Sequence, residues 1–363
     1  MSLERLLRGQ GGSWLTASGP AADVVVSSRV RLARNLRRHP FPPRLTPAEA
    51  QRVVDEVRGA LARLGPGPGG RLELVELQAL TPLERQVLVE RHLISPQHAA
   101  SELPAALAVD EREGLSLMVN EEEHLRLQSL APGLQLQAAW EAADRLDDAL
   151  AEQLDFAFDE RLGYLTTCPS NTGTGLRVSA MMHLPALVHS NQAGDLASAL
   201  ARVGVVVRGI YGEGSKAHGN LFQVSNQITL GRSEGELLES LEAVVRQLVE
   251  RERGARELLY REHRVELEDR VGRAYGILTH AYAISSEEAL ALLSTLRLGV
   301  DLQLLPQVRP EVCNELMVAV GAAGVQYRAG RPLEPAERDV RRAAMIRERL
   351  ASRQAPRAPR GEA

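Results

Sequence analysis

Apolar positions recur along this chain with two different periods, and the change from one to the other divides it. Before about residue 233 they come in short alternating or continuous runs separated by turn residues; beyond it they return every three or four positions. The first part reads as mixed elements. Residues 24–26 form a strand that feeds SSRVRLARN, and residues 47–64 have helical spacing behind Thr46 as N-cap and end in the breaker GPGPGG. RLELVEL alternates like a strand, TPLERQVLVERHLIS reads as a helix, and GLSLMVNEEEHLRLQSL as two strands around an acidic turn. A long helix is predicted over residues 134–158, followed in GYLTTCPSNTGTGLRVSAMMHLP by a strand, a Gly/Thr/Asn loop and another strand. A helix over 195–203 leads into the strand VGVVVRG, and the loop RGIYGEGSKAHGN joins that strand to LFQVSNQITL.

This order loops back on itself instead of alternating strand and helix regularly, so an α+β domain around a largely antiparallel sheet is expected. From Ser233 onward the pattern is helical only, through PEVCNELMVAVG to a last helix starting near Glu334. The expected organisation is a catalytic domain over 1–254, an all-helical domain over 255–352 and a disordered Pro/Arg tail over 353–363.

Composition narrows the class. The chain has 363 residues, 44% hydrophobic and 25% charged, which suits two domains of ordinary size with their own cores. A net charge of −4 gives no reason to expect nucleic acid as a partner. No run is long and apolar enough for a membrane span, and MSLERLLRGQGG lacks the apolar core of a signal peptide, so the cytoplasm is the expected compartment. Cys168 and Cys313 have no metal-ligand spacing around them, so no protein-held metal site is expected. Lys and Arg total 43, of which a single one, Lys216, is lysine. Arginine abundance is therefore a property of the whole chain and does not by itself mark a phosphate site.

Arginines in company are more informative. Arg29, Arg31, Arg126, Arg177 and Arg208 all lie at strand ends or loop edges. Strand alternation puts Arg29 and Arg31 on one face, where two guanidinium groups repel unless an anion sits between them. A polyphosphate meets that need, because each guanidinium offers a planar fork of donors. Near them come the acidic turn Glu121-Glu122-Glu123 and Glu213 in the glycine loop. Read alone, the turn is a solvated surface feature; beside phosphate-binding arginines, carboxylates suit a cationic second substrate whose guanidinium must be oriented and deprotonated. Cys168 in CPSNTGTG is either a structural cysteine or a thiolate held near cations. The segment lacks the GK[ST] ending of a P-loop.

Taken in order, SSRVRLARN, VNEEEHLR, CPSNTGTGLRVSAMMHLP and VVRGIYGEGSKAHGNLFQVSNQ resemble the phosphagen (guanidino) kinases over residues 20–254. VERHLISPQH, RGIYGEGS, ELEDRVGRAYGIL and ERDVRRAAMIRERL resemble the bacterial protein arginine kinase branch of that family, giving nearly full-length coverage. The resemblance implies a glutamine-synthetase-like catalytic domain, ATP as phosphoryl donor with Mg2+, and arginine side chains of proteins as acceptors. It implies nucleotide contacts at Ser27, Ser28, Arg29, Val30 and Arg31, at His92 for the adenosine part, and at Arg126. The same set continues through Arg177, Val178, Ser179, Ala180 and Met181 to Arg208, Gly209, Ile210, Tyr211, Gly212 and Glu213. Glu122 would bind the acceptor guanidinium and act as base, with Glu213 as second carboxylate and Cys168 beside them. Arg338, Asp339 and Arg342 match the RDxxRA motif of a phosphoarginine pocket.

A homodimer through the helical domain is implied as well, with an activator protein, a transcription repressor and a Clp-type protease as partners in stress response or degradation. The chain departs from many phosphagen kinases at Tyr211, where they have Arg, and at Lys216, where they have Glu. Only 26 residues precede SSRVR, where phosphagen kinases carry a further helical domain, so an acceptor site open to a polypeptide is expected. The alternatives are a kinase of a free guanidino compound and a phosphoarginine-binding adaptor with weak catalysis.

Overall fold

The computed structural model describes residues 3–9, 11–67, 70–202, 204–209 and 218–352. Its strands are β1 (Val25–Arg34), β2 (Glu73–Glu76), β3 (Ala106–Val109), β4 (Leu115–Val119), β5 (Leu125–Pro132), β6 (Phe158–Asp159), β7 (Gly163–Tyr164), β8 (Leu176–His183), β9 (Val205–Gly209) and β10 (Leu221–Asn226). Eight of them form one antiparallel sheet in the order β2-β3-β4-β5-β1-β8-β10-β9, and β6 and β7 pair as a separate hairpin. The helices are α1 (Leu3–Arg8), α2 (Pro47–Arg63), α3 (Pro82–Glu90), α4 (Pro96–Ala99), α5 (Leu136–Ala151), α6 (Pro185–His189), α7 (Ala193–Ala201), α8 (Glu234–Glu262), α9 (Arg264–His280), α10 (Ser286–Asp301), α11 (Pro310–Ala319), α12 (Ala322–Ala329) and α13 (Pro335–Ser352).

Alternation along the strands gives the sheet two unlike faces. One carries Val30 and Leu32 of β1, Leu127 of β5 and Val178, Ala180 and Met182 of β8, and is buried under Val53, Val54 and Val57 of α2, Ala143 and Leu146 of α5, and Val245 and Leu248 of α8. The other face carries the arginines. Helix α2 starts at a capping box in which Thr46 and Glu49 satisfy each other's backbone N–H groups, and α3 and α8 repeat the device at Thr81/Glu84 and Ser233/Glu236.

The helices after α8 build a second core from Leu278, Leu293, Leu296, Leu316 and Ile346, which extends to Trp14, Leu15, Leu130 and Leu221 of the sheet region. Buried charges tie the two parts together. Arg256 of α8 donates to Glu252 at 2.7 Å and to the carbonyls of Asp23 and His183 at 3.1 Å, and Arg297 of α10 donates to Asp301 at 2.9 Å and to Ala22 O at 2.5 Å. Helix α8 runs without a break across residue 254.

Several elements differ from the sequence expectation. The helix expected over 134–158 ends at Ala151, because residues beyond it are drawn to the end of β1: Phe156 bridges Leu36, and Ala157 N donates to Asn35 O at 2.7 Å. The helix expected to run to Ser95 ends at Glu90, where the chain turns through His92 with φ +60°. The helical pattern that begins after Ser233 is divided at His263 into α8 and α9. Strand β3, with sequence ALAV, carries no polar alternation because all four residues are buried. The expected tail over 353–363 lies outside the described residues.

Candidate active site

The arginines meet because of the strand register. Arg31 of β1 lies directly opposite Arg177 of β8, Arg29 opposite Ser179, and Ala33 opposite Arg126 of β5. On the far side of β8, Arg208 of β9 sits opposite Gln223 of β10, which itself faces Met181. Arg29, Arg31, Arg126, Arg177 and Arg208 therefore share one face. Burial, with Arg126 and Arg177 nearby, lowers the Arg29 pKa to about 10. Arg31 is pushed well below its usual value by burial and by Arg29, Arg126 and Arg177, with Glu121 pulling the other way. Arg177 is lowered by burial, Arg208 and Arg126, against Cys168 and Glu122. The Nε atoms of Arg31 and Arg177 are buried with no hydrogen-bond partner among the described residues. Crowded guanidinium groups with orphaned donors are what a polyphosphate would satisfy.

The acidic turn between β4 and β5 is not the uniformly solvated feature that its composition suggests. Asn120 opens it with φ +58°, and its side-chain amide donates to Ala50 O at 2.9 Å and Pro104 O at 2.8 Å. Glu121 is almost fully covered, accepting from Ser95 Oγ at 2.6 Å and from Arg126 Nη1 at 2.8 Å. Glu122 keeps 31% of its side chain exposed and accepts from Arg126 Nη2 at 2.5 Å. Glu123 is wholly buried and accepts from Asn35 Nδ2 and Thr167 N at 2.6 Å and from Cys168 N and Asn171 Nδ2 at 3.1 Å. The run of three glutamates thus divides: two grip Arg126, and the third anchors the segment that carries Cys168.

Cys168 is half-buried, with Sγ 3.1 Å from Ser170 Oγ, whereas Cys313 is fully buried and its thiol is pushed up to about 12. The half-exposed cysteine and Glu122 stand at the same end of the arginine face, since Cys168 N donates to Glu123, the residue after Glu122. His92 stands beside Arg29 at the opposite end; burial and the Arg29 charge lower its pKa to about 4, and its carbonyl accepts from Gln128 Nε2 at 2.8 Å. Leu130 lies opposite Arg29, and Met181 opposite Ser27, so this end is apolar. The face is polarised: apolar with a neutral imidazole at one end, arginines along its middle, carboxylate and thiol at the other.

Not every expected nucleotide contact faces this surface. Ser27, Ser179 and Met181 share the arginine side, but Val30, Val178 and Ala180 point into the apolar core. Ser28 Oγ bonds Gly133 O and Gln135 N, both at 2.8 Å, and so fixes the start of α5. Gly209 pairs with Phe222 in the sheet. Ile210, Tyr211, Gly212, Glu213 and Lys216 lie outside the described residues.

In the helical part, Arg338 and Arg342, four positions apart on α13, are buried to different degrees. Arg342 is 2% exposed and donates to Val320 O at 2.7 Å, Ile284 O at 2.8 Å and Asp339 Oδ1 at 2.5 Å. Arg338 and Asp339 remain partly accessible. Glu123, Asn35 and Gln128 were missed as supports of the site, since no sequence period distinguishes a buried glutamate from its two neighbours.

A separate apolar cavity of about 300 Å3 lies among Leu61, Leu64, Leu115, Leu146 and Ala149. It opens on the core side of the sheet, opposite the face that carries the five site arginines.

A sheet that gathers five arginines for a polyphosphate and sets a carboxylate at their end for a cation defines a guanidino phosphotransferase. The family model described as ATP:guanido phosphotransferase, C-terminal catalytic domain, matches residues 52–255, and the one described as Protein-arginine kinase McsB C-terminal domain matches residues 264–360. A protein-arginine kinase of Symbiobacterium thermophilum is 54% identical over 340 residues, covering 93% of this chain and 96% of its own length. One from Moorella thermoacetica is 53% identical over 352 residues, covering 97% and 99%. Among solved structures, a lombricine kinase superposes with a TM-score of 0.57 at 27% identity over 66% of this chain and 68% of its own. The duplicated taurocyamine kinase of Schistosoma mansoni, solved with bound transition state analog components, gives 0.56 at 27% identity, covering 63% of this chain and 33% of its own. The chain belongs to the protein-arginine kinase family, and it is an enzyme of the phosphotransferase class.

Proposed function

We propose that this enzyme transfers the γ-phosphoryl group of ATP to arginine side chains of proteins on the arginine face, with the nucleotide's polarity set by the polarity of that face. The adenosine end lies against His92, Leu130 and Met181, the phosphates lie along Arg29, Arg31, Arg177, Arg126 and Arg208, and the γ-phosphoryl group faces Glu122 and Cys168. The carrying observation is the convergence of like charges around the buried Nε atoms of Arg31 and Arg177, which have no hydrogen-bond partner among the described residues. Mg2+ would come with the nucleotide, held by phosphate oxygens and water, and would neutralise charge on the transferred group.

The Glu122–Arg126 pair suggests how the acceptor enters. Glu122 already holds a guanidinium, that of Arg126, through Nη2 at 2.5 Å. In the proposed exchange Arg126 turns to the phosphates and Glu122 to the acceptor. The acceptor nitrogen then attacks the γ-phosphorus, an N–P bond forms, the P–O bond to ADP breaks, and Glu122 takes the nitrogen's proton. Cys168 stabilises the bound guanidinium from the side, and Glu213 supplies a second carboxylate.

In the helical part, Arg338 and Asp339 present a phosphoarginine site that Arg342 holds in shape from below. The division of the chain near residue 254, dimerisation through the helical part, a cytoplasmic setting, and activator, repressor and protease partners in stress response or degradation belong to the same reading. Incubation with ATP, Mg2+ and a protein substrate should yield acid-labile phosphoarginine. Failure of the parent enzyme to form it, or an undiminished yield with Glu122→Ala, would remove the proposal.

A further inference from the structure

Trp14 lies in the short 3-10 turn at Ser13–Leu15, ahead of β1 and outside every motif that marks the site. It is 1% exposed, and its ring meets that of His92 edge to face, with centroids 5.7 Å apart at 71°. It belongs to the same apolar cluster as Leu130, with Met181 packed against that cluster, and its turn lies against β5 and β1, so it backs the apolar end of the arginine face. Its indole N–H finds no acceptor among the described residues. As mere filling, a tryptophan there is a poor choice, because phenylalanine or leucine would occupy the space without a buried orphan donor.

The turn is held from both sides. Ser13 N donates to Arg112 O at 2.9 Å, and Asn314 Nδ2 of α11 donates to Leu15 O at 3.3 Å. A Cβ at Gly12 would come within 2.6 Å of the indole, so the backbone is pressed against the ring. His92, by contrast, sits on a left-handed backbone of φ +60°, a conformation that a non-glycine residue keeps only when its surroundings impose it. Gln128 secures the His92 carbonyl, and Trp14 is what meets its ring.

We propose that Trp14 is a positioning residue of the nucleotide site: its indole fixes the imidazole of His92 and, with Leu130 and Met181, completes the wall on which the base end of the nucleotide is held. The inference rests on the placement of adenosine at this end, and its test separates the two. The chain has two tryptophans, and the other, Trp140, sits on α5 bonded to Glu234 at 2.7 Å. In a Trp140→Phe background, Trp14 emission should change saturably on titration with ATP and not with inorganic triphosphate, which lacks the base. Unchanged emission while the same preparation saturates with ATP in turnover, or an equal response to triphosphate, overturns the role of Trp14 and leaves ATP binding standing. Absence of ATP saturation in the parent enzyme overturns the site itself.

Trp14→Leu should raise KM for ATP about three- to tenfold with kcat changed less than about twofold, and Trp14→Phe should restore most of the loss. A Trp14→Leu enzyme that loses kcat and thermal stability with KM for ATP unmoved reduces Trp14 to core packing.

Discussion

Glu123 accepts a hydrogen bond from the backbone N–H of Cys168 at 3.1 Å, so a residue of the β4–β5 turn sets the position of a thiol on the segment leading into β8. The same carboxylate receives Asn35, Thr167 and Asn171, and its burial makes each of those bonds depend on its charge. Glu123→Gln keeps the shape but replaces an acceptor-only group with one that must donate. It should cost about 2–4 kcal/mol of stability. Turnover should fall with it while KM for ATP changes little, as read by thermal melting and steady-state kinetics.

Glu122 differs from Glu123 in being half-open and in holding a guanidinium already. Glu122→Gln should lower phosphoarginine formation by about two to three orders of magnitude, the range of lost general-base assistance. ATP affinity should be retained or slightly raised, because Arg126 is released to the phosphates. Phosphoarginine yield on a protein substrate and equilibrium nucleotide binding check the two halves separately.

The arginine face is strained by its own charge without an anion. Arg31 is held well below its usual value by burial and by three neighbouring arginines. Arg31→Gln should therefore raise the melting temperature of the nucleotide-free enzyme while weakening ATP binding about ten- to a hundredfold. A variant that loses stability and keeps its affinity would contradict this account of the face.

Acid should destabilise the fold through its buried imidazoles. His92, His98 and His124 are each lowered by desolvation to about 4, and His183 lies well below its usual value. Between the unfolded value near 6.5 and the folded values, the unfolded chain binds more protons, so this stability is complete above about pH 6.5 and is lost as pH falls toward 4. Each fully buried imidazole should contribute a loss of about 1–2 kcal/mol by pH 5. Glu90, Glu252 and Asp301, raised by burial, act in the opposite sense. His98→Gln keeps a donor for Val119 O, 3.0 Å away in the parent, and should shrink the drop in urea midpoint between pH 7 and pH 5.

Arg342 should behave as a structural residue as well as a member of its motif. Its guanidinium satisfies the carbonyls of Val320 and Ile284, so Arg342→Ala should cost about 3 kcal/mol without any ligand. Arg338→Ala should leave melting nearly unchanged and weaken phosphoarginine binding, measured by calorimetry.

The sequence by itself determined what local periodicity and adjacency carry. Arg29 and Arg31 share a face because strand alternation demands it, α2 begins at Thr46 because its capping box is written in four residues, and the motif order carried the family. Tertiary structure decided what depends on register between distant strands. Arg31 meets Arg177 across 146 positions of chain only because β1 and β8 pair in one particular alignment. Three adjacent glutamates acquired different roles because burial is set by what packs over a turn, here the Asn35 and Cys168 segments, and not by the turn's composition. Spacing placed Arg338 and Arg342 together, yet packing of α13 against the loops at Ile284 and Val320 put one of them inside. The end of α5 likewise followed from the competing demand of β1 for backbone partners. A chain can encode its own elements locally, but which side chains lose water is settled only when those elements choose neighbours.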